Sequence, residues 1–139
     1  MKRLSVLVLV VLACTFVVAA GCTGIPGASP ASSAGTAGPS FVGKWMTTWQ
    51  GGGHDVPMTL TQTGSVIAGT YEYNTGTIAG TVQGNTLTGV WTEDNGQSRG
   101  PIEFVISADG KTFSGWWAYE GDDFAAIKKE QPSWTGMRV

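Results

Sequence analysis

The sequence predicts an all-β fold, a small antiparallel up-and-down meander closed into an eight-stranded barrel. Three observations lead there. From Phe41 onward, apolar and Thr residues alternate with a period of two, and turn residues recur about every ten positions. In addition, a Gly stands two residues before a large apolar side chain at the same phase of successive strands: Gly43/Trp45, Gly69/Tyr71, Gly80/Val82, Gly89/Trp91 and Gly115/Trp117. Residues two apart share a face, so each Gly lies beside a bulky partner on the side that a curving sheet crowds. Closure would also remove the exposed edges of a long Thr-rich sheet.

The alternation places strands at about 41–49, 57–63, 65–73, 77–83, 86–93, 100–107, 112–119 and 124–129, with a short ninth element around Trp134. Tight turns are expected at Asn74-Thr75-Gly76, Gly84-Asn85, Asn95-Gly96, Asp109-Gly110 and Gly121-Asp122-Asp123. No helix is expected beyond residue 40. One face carries Ile67, Tyr71, Ile78, Leu87, Trp91, Ile102, Phe104, Ile106, Phe113 and Trp117, and is read as core. The other carries Thr70, Glu72, Thr77, Thr81, Thr88, Thr92, Glu103, Thr112 and Ser114, and is read as solvent-facing.

The N-terminal third has a different composition. Lys2 and Arg3 precede an apolar run from Leu4 to Val18, followed by Ala19-Ala20-Gly21 and then Cys22. A transmembrane helix is the competing reading, but the run is at the short limit for a bilayer span. The pattern of charge, apolar stretch and small residues reads as an export signal cleaved before Cys22. It resembles the lipobox of prokaryotic lipoproteins, which implies that the Cys22 thiol carries a diacylglyceryl group and fatty acids such as palmitate. Cys14 sits in a poorer context, behind Leu12 and Ala13. The resemblance implies a lipid-anchored protein on the outside of the cell membrane or in the outer envelope, with the membrane as a partner through Cys22. The expected organisation is a signal peptide at 1–21, a lipidated Cys and linker at 22–40, and a barrel domain at 41–139. Residues 23–40 carry no charge and no aromatic ring, so they suit a flexible spacer of roughly 20–25 Å root-mean-square span. Since the chain's two cysteines are Cys14 and Cys22, the barrel must fold without a disulfide.

Through Gly43-Lys44-Trp45 in the first strand and the meander after it, the chain resembles the lipocalin and avidin group of barrels. It is similar as well to lipoproteins that repeat Gly-Thr-Tyr and Gly-x-Trp patterns, here Gly69-Thr70-Tyr71 and Gly84-Asn85-Thr86-Leu87-Thr88-Gly89-Val90-Trp91. The resemblance implies the architecture. It does not carry biotin binding across, because the inner face offers chiefly the Tyr71 hydroxyl and Thr47 as polar groups, and so short a domain does not suit a lipocalin-sized cavity.

Candidate chemistry is sparse. His54, the only histidine, lies in the Gly-rich loop Gly51-Gly52-Gly53-His54-Asp55, without a second His or Cys or a nucleophile motif. The acidic turns at Glu93-Asp94 and Glu120-Gly121-Asp122-Asp123 lack calcium-loop spacing, and Glu72 with Glu93 is a carboxylate pair of unknown separation. No catalytic residue, metal or cofactor is expected. Scattered cations in a chain of net charge −2 disfavour nucleic acid. The aromatic residues are the main binding candidates. Trp45, Trp91 and Trp117 read as barrel filling, with a ligand cage as the alternative. Trp49, Trp116, Trp134 and Tyr73 read as outward-facing or at strand ends. A ligand-binding mouth is therefore expected around Trp49, His54, Tyr73, Trp116 and Trp134. Its ligand would be a small apolar molecule or a glycan. The alternative is a filled barrel that meets another envelope protein.

Overall fold

The computed structural model describes residues 38–139, and within them the alternation becomes a closed barrel of eight antiparallel strands. The strands are β1 (Gly43–Trp49), β2 (Val56–Thr63), β3 (Val66–Tyr71), β4 (Gly76–Gln83), β5 (Thr86–Glu93), β6 (Ser98–Ile106), β7 (Thr112–Trp117) and β8 (Trp134–Arg138). Each pairs with the next in sequence, and β8 returns to β1 with Trp49 opposite Trp134 and Trp45 opposite Arg138. The expectations for residues 1–37, including the lipidated Cys22, fall outside the described residues.

The expected core face is buried, from Ile67 and Tyr71 through Leu87, Trp91, Ile102, Phe104 and Phe113. Thr47 is the one buried polar residue among those described, and its hydroxyl donates to the Val56 carbonyl at 3.0 Å. On the outer wall Thr59, Thr70, Thr77 and Thr92 stand side by side across β2 to β5. The Thr77 and Thr92 hydroxyls are bonded to each other.

The strand glycines owe their place to close packing. Gly80 and Gly89 face each other across β4 and β5, and a Cβ on Gly80 would sit 2.9 Å from the Gly89 Cα. Neighbouring backbones approach too closely at this bend for any side chain. The turns behave as their residues require, with positive φ at Asn74, Gly84, Asn95, Gly110 and Gly121.

Two expectations are corrected. Residues 124–129 do not form a strand. Phe124–Ile127 is a short helix, α1, and the eighth strand is the element around Trp134. The Asp123 carboxylate accepts from the Ala126 N–H and caps α1, where Ala125 and Ala126 favour helix over strand. The connection lies against the outer wall, where Lys128 pairs with Glu103 at 2.8 Å and the Trp116 indole donates to the Glu130 carbonyl at 2.9 Å. The second correction concerns Trp49 and Trp134, which point inward and are 6% and 2% exposed. Trp49 continues the inward phase of Trp45 and Thr47, and its pairing with Trp134 brings both indoles into the barrel.

Candidate functional site

Strand direction divides the barrel into two ends. β1 runs from Gly43 at one end to Trp49 at the other, and the antiparallel order then sends Tyr71, Glu93, Trp117 and Trp134 to the Trp49 end. The chain joins the barrel at Phe41, at the opposite end. There the Trp45 indole donates to the Phe41 carbonyl at 2.8 Å, and the Arg138 guanidinium lies 4.3 Å from the Trp45 ring centre. Arg138 also donates to the carbonyls of Gly110, Val42 and Ser40. This end is plugged, with its polar groups paired.

The Trp49 end is built differently. Trp91, Trp117 and Tyr119 meet in three edge-to-face contacts, with centroids 5.2–5.8 Å apart and interplanar angles of 73–84°. Three mutually steep rings make the corner of a box. Facing it is a second group, in which Trp49 contacts Tyr73 at 5.2 Å and Trp134 at 4.7 Å, and Tyr71 contacts Trp134 at 5.5 Å. Trp49, Tyr73 and Trp134 on one side, the Trp91, Trp117 and Tyr119 corner on the other, and Glu93 line a partly open pocket of about 60 Å³, bordered on the loop side by Gly51 and Gly52. Despite the ring of aromatic residues, the wall of this pocket is chiefly polar.

Glu93 ends β5 and accepts the Tyr71 hydroxyl at 2.8 Å on Oε1. Burial, followed by the hydrogen bond and charge of Glu93, pushes the Tyr71 phenol well above its ordinary pKa. Tyr71 is therefore a permanent donor that fixes the carboxylate. The Trp91 indole is satisfied by the Ala118 carbonyl at 2.9 Å. The indole N–H groups of Trp117 and Trp134 have no partner and are out of reach of water. A buried unpaired donor costs about 1–3 kcal/mol, so this end carries polar groups that folding alone does not satisfy.

Of the residues named in the sequence analysis, the structure brings Trp49, Tyr73 and Trp134 together around this pocket. His54 lies exposed on the loop above them, beside Asp55, whose N–H bonds the Thr48 hydroxyl at 3.4 Å. Trp116 is not part of the mouth. Its neighbour Trp117 points inward, so Trp116 faces the outer wall and covers the α1 connection. From sequence alone Trp91 and Trp117 read as core filling, Glu93 as a turn acid or a partner of Glu72, and Tyr119 only as a strand end. Their common signal was position, because each lies at or just beyond a strand end on the same side of the barrel. No group of three or more His, Cys, Asp or Glu suited to a metal occurs among the described residues. No protein-family model, curated protein sequence or solved structure matches the chain.

Proposed function

We propose that this protein is a lipid-anchored, non-enzymatic binding module that holds a small ligand in the aromatic mouth of its barrel. The observation that carries the reading is the pocket between Trp49, Tyr73, Trp91, Glu93, Trp117 and Trp134, in a barrel whose other end is plugged. Aromatic side chains converging with a few fixed polar groups are usual in small-molecule sites, and a pocket this small takes only one end of a ligand. The point of attachment adds support. The chain enters the barrel at its Phe41 end, so a lipid anchor at Cys22 would leave the Trp49-end mouth free of the tether.

The test is backbone chemical-shift mapping of the full chain carrying Cys22→Ala, titrated with a collection of small molecules that includes saccharides and apolar compounds. Shifts clustered at Tyr73, Glu93, Trp117 and Trp134 are the expected result. Shifts confined to the outer wall, or none from any compound, would overturn the reading. Fractionation of cells tests the anchor, since Cys22→Ala should move the protein from membrane to soluble fractions.

A second reading rests on a different surface. The outer wall has a groove of about 560 Å³ beside Met46, Val105 and Met137, and Met137 is 61% exposed. Exposed apolar surface of this kind suits a protein partner. In that case the module is an interaction protein of the envelope, and the mouth is merely an end of its core.

A further inference from the structure

Resting on the binding-mouth reading, we propose that the mouth receives the ammonium group of a small organic amine or of a lysine side chain. Four observations converge on a cation. Glu93 is the one charged residue lining the pocket, and Tyr71 takes only its Oε1 oxygen. Among the described residues no donor is bonded to Oε2, so one carboxylate oxygen is available to an incoming N–H group.

The rings supply the second observation. The box corner made by Trp91, Trp117 and Tyr119 presents π-faces in several directions, and such faces attract cations. The protein's own cations lie elsewhere. Among the described residues, the cation contacts with aromatic faces are Lys128 over Phe124 and Arg138 over Trp45, neither of them at the mouth.

Charge distribution is the third. Apart from Glu103 and Asp109, every acidic residue lies on the mouth-end loops or the strand ends bordering them: Asp55, Glu72, Glu93, Asp94, Glu120, Asp122, Asp123 and Glu130. Lys44, Lys111 and Arg138 lie at the plugged end, Arg99 is paired with Glu120 at 2.8 Å and Lys128 with Glu103 at 2.8 Å, which leaves Lys129 as the one cation without an ion pair on the mouth-end connections among the described residues. The field at the mouth draws cations in and turns anions away.

The last observation is what an apolar guest would leave undone. It would seal in the Glu93 carboxylate among the rings without a partner, which is costly. Size works against it as well, since a cavity of about 150 Å³ is what holds a benzene ring. A pocket of about 60 Å³ admits an ammonium group with its first carbon and leaves the rest of the ligand outside.

The test titrates the full chain carrying Cys22→Ala with n-butylammonium chloride at constant ionic strength, with sodium acetate and glucose as controls. Shifts at Glu93, Trp91, Trp117 and Tyr119 with butylammonium are expected, and none with acetate. Glu93→Gln keeps an acceptor for Tyr71 and removes the charge, so affinity should fall about ten-fold. Wild-type affinity should also weaken as salt is raised, an arm that does not depend on the variant folding. N-acetyl-lysine methylamide, added in parallel, separates the two sources: tighter binding than butylammonium assigns the site to lysine side chains, weaker binding to free amines. Absence of butylammonium shifts, or unchanged affinity in a folded Glu93→Gln, overturns the inference. If glucose moves these residues and butylammonium does not, the binding mouth stands and the cation assignment falls.

Discussion

The two ends of this barrel use the same materials and finish them differently. At the Phe41 end one tryptophan, Trp45, has its N–H bonded to a carbonyl, its face covered by Arg138 and its edge against Phe113 at 5.1 Å. At the Trp49 end four tryptophans surround a space, and two of them have unpaired N–H groups. Both ends are rich in aromatic rings, so aromatic content alone does not separate a core from a site. Completion of hydrogen bonding does. A plug is assembled to be satisfied within the chain, whereas a site keeps groups that the chain leaves without partners.

The strongest way to break this contrast is to remove a ring from each end. Trp45→Ala should cost about 3–5 kcal/mol, since it empties a fully buried site and leaves Arg138 without its ring. That is a large part of the stability of a domain this size. Trp117→Ala, at a half-buried position beside existing space, should cost clearly less. Urea denaturation of both variants measures the difference, and equal losses would mean that the mouth is as much core as the plug.

Next in size is Arg138→Met, which keeps the bulk of the side chain and loses the donors to the Gly110, Val42 and Ser40 carbonyls. The expected loss is about 2 kcal/mol, allowing for partial exposure of the site. A loss that grows no larger than that of Lys44→Met, on an exposed β1 position, would show that the clamp is decorative.

Much of the fold was legible because period-two alternation fixes both strand and face. The Gly-to-Trp spacing located the close backbone approaches such as Gly80 with Gly89. What escaped depended on contacts distant in sequence. Phe124 to Lys129 looked like a strand until Asp123 capped a helix there. Trp134 looked peripheral because only the β1–β8 pairing shows that it faces Trp49 across the closure. Arg138 carries no local signal, since its ring partner is Trp45 and the carbonyls it binds belong to Ser40, Val42 and Gly110. The site was half legible for the same reason. Trp49 and Tyr73 are at recognisable strand ends, while the joining of Trp91, Glu93, Trp117 and Tyr119 to them requires the whole order of the barrel.

Alkaline titration sharpens the contrast through the mouth's buried phenol. Tyr71 ionises above the ordinary phenol value of about 10 in the fold, so below that pH both folded and unfolded states hold the proton. Above it the unfolded chain releases the proton first, and stability falls by about 1.4 kcal/mol per pH unit. Tyr71→Phe should be less stable at neutral pH, because the Glu93 carboxylate loses a donor, and should show a shallower alkaline decline. Parallel declines in the two proteins would remove Tyr71 as the cause.

The finest test compares one conservative change at both ends. Trp45→Phe and Trp134→Phe each replace an almost fully buried indole by a smaller ring, so the packing losses are similar in kind. They differ in the hydrogen bond. Trp45→Phe strands the Phe41 carbonyl, whereas Trp134→Phe deletes a donor that had no partner and removes its desolvation cost. Trp134→Phe should therefore be milder by about 1 kcal/mol or more, read from urea midpoints at unchanged m-values. Equal costs would imply that Trp134 N–H finds a partner in solution, which would place the unsatisfied chemistry of the mouth on Trp117 alone. If Trp134→Phe is the milder change and also alters ligand affinity, the indole ring serves the site while its buried N–H burdens the fold.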